Sequence, residues 1–221
     1  MKNAGDYHAV LADAARLWGG EFISQPVLTE FDGQQFEHYV HYQPVFPALS
    51  RIVSDAELAV DMVYYPVQQY VHCPGTVDGS MQVWEELWHG RTWWELQYRI
   101  ASNQCILYLV LYIDETNVST IGGVKVWPVY IWVGNLPASI RKQRGKKGGA
   151  ILIGYLPKAR SDSGVSDLAA FRCKVYHDAL NTMFESLKIP SRYGVPMRCG
   201  DGKVREFIPV IGAGSADYME L

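Results

Sequence analysis

Basic residues are scarce in the first half of this 221-residue chain: residues 1–100 hold 5 Lys+Arg against 13 Asp+Glu. That half offers little to an anionic partner. Long apolar runs are missing too. The longest, Cys105–Ile113, is about half of the ~20 residues a membrane-spanning helix needs. The first twenty residues carry only Lys2 before Asp6 and no apolar block, so no secretory signal is expected. Membrane and secreted classes are not expected. The four cysteines (Cys73, Cys105, Cys173, Cys199) form no C-x-x-C pair, which leaves zinc ribbons and redox motifs without support. Reduced, partly buried thiols of an intracellular protein are the expectation. His38 and His41 stand three apart and His72 adjoins Cys73, but no second ligand pair lies at a useful distance. No G-x-S-x-G elbow, Walker loop or H-E-x-x-H occurs, so serine hydrolase, P-loop and zincin chemistry are not indicated.

What is present suffices for a folded core. The chain is 48% hydrophobic and 13% aromatic, with 7 Trp and 14 Tyr, which argues against disorder and against a coiled coil. The charge reverses along the chain: residues 101–221 hold 15 Lys+Arg and 10 Asp+Glu. Five of those cations, Arg141, Lys142, Arg144, Lys146 and Lys147, share one glycine-loosened stretch. Such a loop suits a phosphate backbone, where Lys and Arg gain affinity by releasing condensed counterions. A solvated loop tip accounts for it equally well.

The pattern along the chain predicts two regions. Residues 1–95 read as an acidic, mainly helical accessory region. Helices are predicted over Tyr7–Trp18 and Ser54–Val63, with an irregular or short-stranded, proline-punctuated stretch from Phe22 to Pro47. The segment Gln82–Gln97 packs four tryptophans into sixteen residues, as either a hydrophobic brace or a stacking platform for bases. Residues 96–221 change character. Ile106–Ile113 reads as a strand buried on both faces. Val124–Val133 is a second strand, with Pro128 arguing for an edge or an irregular pairing, and Ala150–Leu156 a third. Asp167–Leu187 carries apolar residues at helical spacing, ended by Pro190 and Gly194. Phe207–Ala216 is a fourth strand. The order is β-β-β-α-β, an α/β fold.

Asp114 follows the first of these strands and Asp217 the last. Were the two strands neighbours, the carboxylates would converge at one sheet edge. Such a pair is costly unless a cation neutralises it, and hard oxygen donors select Mg²⁺ or Mn²⁺. A two-metal site activates a water or a 3′-hydroxyl for phosphodiester transfer. Ordinary strand-end aspartates are the alternative.

The ordered motifs Asp114–Thr116, Pro128–Tyr130, Gly134–Pro137, Ile140–Arg141 and Leu152–Pro157, with the preceding ELWHGRTWWELQ, resemble the core of Plavaka-type transposases. These form a fungal branch of DNA transposons related to the CACTA and Kyakuja–Dileera–Zisupton groups. Met197-x-Cys199-x-Asp201-Gly202 with Arg205 and Pro209, then Ala216–Glu220, resemble the stretch around that family's second acidic residue. The likeness spans roughly residues 80–221, and weakly Phe46–Pro66. It implies a partial RNase H-like core, a DDE/D centre with Asp114 and Asp217 as metal ligands, Mg²⁺ or Mn²⁺ as cofactor, DNA as partner and a nuclear location. Glu115 stands where the family has a basic residue, and Met219 where it has proline. The third acidic residue is expected beyond Leu221, so the chain reads as a fragment or relic that is inactive alone. The alternative is a non-catalytic nucleic-acid-binding or protein-interaction module. No nucleotide cofactor is expected: Val210–Ala216 imitates a dinucleotide fingerprint, but Asp217 stands at a position that needs Gly or Ala.

Overall fold

A computed structural model describes residues 21–117, 125–143, 148–158 and 164–216. The helix expected over Tyr7–Trp18 lies outside them. The described part of the N-terminal region opens with strands, which corrects the mainly helical expectation. Strands β1 (Ile23–Phe31) and β2 (Gln34–Tyr42) form an antiparallel hairpin in full register, from Ile23 opposite Tyr42 to Phe31 opposite Gln34. Its turn is Asp32–Gly33, with φ of 51° and 72°. Asp-Gly at positive φ is the two-residue connection whose twist matches that of paired strands. Val27, Thr29 and Phe31 alternate inward against Phe36, Val40 and Tyr42, so the hairpin has one core face.

Helix α1 (Val45–Val53) lies N-terminal to the expected Ser54–Val63 helix. Pro47 sits in its first turn, where a missing N–H costs nothing. The Asp55 carboxylate accepts from the backbone N–H of Glu57 at 2.8 Å and of Leu58 at 3.3 Å, which folds Asp55–Asp61 into turns. A small separate hairpin follows, β3 (Tyr70–His72) with β4 (Ser80–Gln82). Helix α2 (Arg91–Tyr98) comes next.

The strands expected after residue 101 fall where the periodicity puts them. The first three are β5 (Gln104–Ile113), β7 (Lys125–Val133) and β8 (Ile151–Leu156); the short β6 (Thr116–Asn117) between β5 and β7 and the single helical turn α3 (Ala138–Arg141) after β7 were not signalled by the pattern. Helix α4 (Leu168–Met183) is capped by the Asp167 side chain, which accepts from Ala169 and Ala170 N–H. Pro190 does not end the helical run; it lies inside α5 (Lys188–Tyr193), and Gly194, at φ 81°, closes it. Strands β9 (Val195–Arg198), which the pattern did not signal, and β10 (Val204–Ala216) complete the described chain.

These strands form one mixed sheet in the order β1-β2-β8-β7-β5-β10-β9, with β6 paired to β7. β7 is therefore interior, not an edge. Pro128 fits because it lies between the β6 ladder, which reaches Val126, and the β5 ladder, which begins at Val129, beside a register shift at Val129/Tyr130. The hairpin β1–β2 joins the sheet through His41–Tyr42 against Gly154–Tyr155, so strands from both sides of the 95/96 boundary share one sheet.

Alternate residues of β5 enter two cores. Cys105, Leu107, Leu109 and Ile113 pack with α1 and α4 on one face. Ile106 and Tyr108 pack with Trp88 and Trp93 on the other. Helices thus cover both sides of the strand, which explains its unbroken apolar run.

Candidate functional site

β5 and β10 are parallel neighbours, registered from Glu206 opposite Gln104 to Ala216 opposite Ile113. The extra residue Gly212 makes a bulge between Ile211 and Ala213. A Cβ there would stand 2.2 Å from the Tyr108 ring, and the Tyr108 hydroxyl donates to the Gly212 carbonyl at 2.7 Å. Past Ile113, Asp114 is half-buried, and its Oδ2 accepts from the Tyr112 hydroxyl at 2.8 Å. The Tyr112 ring meets Trp132 edge-on at 5.8 Å. Glu115 turns away to pair with Lys125 at 2.5 Å, across the β6–β7 rungs. Asp217, which follows Ala216 in sequence, lies outside the described residues. Among the described residues no three His, Cys, Asp or Glu side chains gather as a metal site.

The five expected nucleic-acid contacts divide. Arg141 faces inward, 16% exposed, and holds Glu86, itself 15% exposed, at 3.2 Å. Its guanidinium also donates to the Leu136 carbonyl and, at 3.3 Å, to that of Gly134. Glu86 in turn accepts the Ala138 N–H at 2.7 Å, where the first turn of α3 leaves a backbone donor without a helical partner. Lys142 is exposed at the end of that turn. Arg144, Lys146 and Lys147 lie outside the described residues.

Asn135 is fully buried beside this cap. Its Oδ1 accepts the Tyr108 N–H at 2.9 Å, while Nδ2 donates to Ile106 O at 2.9 Å and Val63 O at 2.8 Å. The Val63 N–H returns a bond to Asn135 O at 2.8 Å. One amide therefore replaces the missing ladder bonds of β5 and ties the N-terminal region to the sheet.

A sequence model described as Plavaka transposase matches residues 22–221. The chain belongs to the Plavaka transposase family. A search of curated proteins gave no match, and a search of solved structures gave none either.

The fold shows what the motifs shared with Plavaka transposases do here. Gly134–Pro137 and Ile140–Arg141 build the Asn135 and Arg141 brackets around the end of β7. Gly154, within Leu152–Pro157, lets β2 approach β8: a Cβ there would lie 2.6 Å from the His41 carbonyl. The stretch from Met197 to Arg205 is the end of β9, the β9–β10 turn and the start of β10. Arg205 grips Asp201 with two bonds of 2.9 and 2.7 Å and lies 3.8 Å over the Tyr64 ring. That fork holds the Asp201 carboxyl down to about 2. Burial, with Cys199 beside it, pushes the Tyr64 phenol up to about 12, although Arg205 pulls the other way. Gly200 donates to Val53 O at 2.9 Å, and a Cβ there would collide with the Asp55 carbonyl at 2.1 Å.

Of the four tryptophans, Trp88 and Trp93 act as a brace. Trp93 is fully buried and stacks on Tyr108 at 5.0 Å and 16°. Trp84 and Trp94 are exposed. The sequence reading did not signal Tyr112, Glu86 or Tyr64, each of which earns its role only through a partner distant in sequence or two residues along a strand. All four cysteines are free, with Cys105 and Cys199 buried. No helix among the described residues is long and apolar enough to cross a membrane.

Proposed function

We propose that this Plavaka-family chain carries the DNA-strand-cleaving core of a transposase, built on an RNase H-like sheet, with Asp114 and Asp217 as metal-binding carboxylates. The register of β5 against β10 carries the reading. Two parallel central strands end level at Ile113 and Ala216, and in each the next residue is an aspartate. The antiparallel run β8-β7-β5 with β10 parallel to β5, reached through α4, supports the RNase H-like assignment.

Mg²⁺ or Mn²⁺ suits an all-oxygen donor pair, and when bound it would polarise the scissile phosphate and lower the pKa of an attacking hydroxyl. Within the chain, Asp114 supplies one carboxylate and Asp217 the other. Tyr112, hydrogen-bonded to Asp114 Oδ2, orients that carboxylate as an outer-shell partner. The ion pair with Lys125 keeps Glu115 from adding an uncompensated charge. Lys142, Arg144, Lys146 and Lys147 bind the DNA backbone, whereas Arg141 braces the turn that precedes them in sequence. The work of such a protein is on chromosomal DNA, so its place is the nucleus. With two carboxylates the metal is held weakly, and the isolated chain is expected to bind it without cleaving.

Mn²⁺ titration of the full chain, followed by water-proton relaxation, tests this. Binding should weaken at least about tenfold in Asp114→Asn and in Asp217→Asn, while DNA affinity stays unchanged. Equal Mn²⁺ binding by wild type and both variants would remove the metal site and leave a non-catalytic DNA-binding module. Metal-dependent nicking by the wild-type chain, lost in Asp114→Asn, would keep the site and refute the inactivity.

A further inference from the structure

The hairpin β3–β4 is an arm without a core. No residue from Tyr65 to Glu86 belongs to either hydrophobic cluster. Nevertheless Tyr70 (56% exposed), Met81 (55%) and Trp84 (63%) stand in solvent with Val71, and Val77 is fully exposed at the tip. Val71 lies opposite Met81 and Tyr70 opposite Gln82, so exposed apolar side chains occupy both faces of the ladder. A lone two-stranded hairpin is marginal in water and gains stability from further strands or an apolar surface. Nucleic acid is a poor occupant, because no Lys or Arg occurs between Arg51 and Arg91. From Tyr65 to Trp84 the only formal charge is Asp78.

A matching surface exists elsewhere on the same chain. β9 pairs with β10 only as far as Phe207, and among the described residues no strand pairs with Ile208–Ala216 on the side away from β5. Beside that edge runs an apolar groove of about 390 Å³ lined by Phe184, Leu187, Pro209, Val210 and Ile211. The stem of Lys188 closes one side, its ammonium paired with Glu185. Ile208–Ala216 carries no charge, so the edge itself bears none of the charged gatekeepers that usually block strand pairing, and the charge of the groove-lining Lys188 is met by Glu185.

We infer that the β3–β4 arm of one copy docks into the β10 groove of a second copy of this chain, making a dimer by reciprocal arm exchange. Both halves of the contact lie on one polypeptide, and both are apolar and nearly uncharged, so like copies meet without repulsion. At the roughly 150–250 Å² that a buried aromatic covers, the half-exposed arm side chains supply several hundred Å² per copy. Two such contacts approach the ~1,600 Å² of a standard interface. Helix α5 flanks β10 beside the groove, so pairing with the β10 edge beyond Ile211 gives the arm its third strand.

Light scattering on the full chain reads the outcome. The wild type should show about twice the 24.9 kDa monomer mass. An arm variant (Val71→Asp with Met81→Asp) and a groove variant (Ile211→Asp) should each be monomeric, with unchanged circular dichroism and melting. An equimolar mixture of the two should recover a weaker dimer of one copy each, because one intact arm still faces one intact groove. A wild-type monomer at all concentrations would overturn the proposal. So would a groove variant that remains dimeric, which would mean arm-to-arm pairing. Loss of DNA affinity in the arm variant, at unchanged mass, would instead make the arm a base-stacking platform. The arm variant and the Ile211 variant change neither Asp114 nor Asp217, so failure of the dimer leaves the metal reading untouched.

Discussion

Single side chains bear much of the fold here. Asn135 satisfies one buried donor and two buried acceptors, and no other residue type of its size does both. Asn135→Ala strands these groups, and urea unfolding should show a loss of about 3 kcal/mol, with Asn135→Asp no better because it cannot donate. The Arg205 fork on Asp201 predicts a pH signature. The carboxyl sits at about 2, below its ordinary ~3.9, so its stabilisation is complete above that ordinary value and disappears as pH falls through about 2. The stability gap between wild type and Asp201→Asn should be level from pH 7 to 5 and close between about pH 4 and 2. A gap that persists at pH 2 would contradict the pairing. Neither role was readable beforehand: Asn135 and Arg205 appear in the sequence as motif letters, and only the partners brought by folding give them work.

At the scale of elements, Arg141 and its neighbours part company. Removing Arg141 leaves the Glu86 charge without its cation and the Gly134 and Leu136 carbonyls without this donor, in a largely buried site. Arg141→Ala should therefore lower stability by roughly 2–3 kcal/mol, and Arg141→Lys should restore little, since a single ammonium nitrogen lacks the planar fork that serves both carbonyls from one nitrogen and Glu86 from the other. Neutralising Lys142, Arg144, Lys146 and Lys147 together should leave the melting temperature in place. It should instead flatten the salt dependence of DNA binding, by close to one unit of slope per lost phosphate contact. Fluorescence anisotropy across a salt series checks this; an unchanged slope would make the basic stretch a mere solubilising tip. The elements themselves were unevenly legible. Strands β5, β7, β8 and β10 and helix α4 announced themselves through continuous apolar runs or helical spacing. The β1–β2 stretch reads only as irregular or short-stranded, because its outer face is polar and Pro26 interrupts β1, although Asp32–Gly33 is a turn signal. Helix α1 is hidden in the sequence because Pro47, which reads as a boundary, sits in its first turn.

Across the whole molecule, one sheet integrates the two halves. Gly154 brings β2 against β8, Gly200 brings the β9–β10 turn against the end of α1, and Asn135 fastens Val63 to β5. The acidic N-terminal half thus buries its apolar residues in the same core as the basic half, so the charge division in the sequence marks surface character, not a break in the core. The sequence by itself determined the central strands, the long helix, the aspartate that leaves β5 and the family membership. These are carried by local hydrophobic periodicity and by short ordered motifs, and both survive without three-dimensional information. Only the tertiary structure decided which strands are neighbours, that Arg141 turns inward, and that an apolar arm is left without a core. Strand order and side-chain direction depend on contacts between residues far apart in the chain, and no local pattern encodes which partner a buried amide or guanidinium will meet.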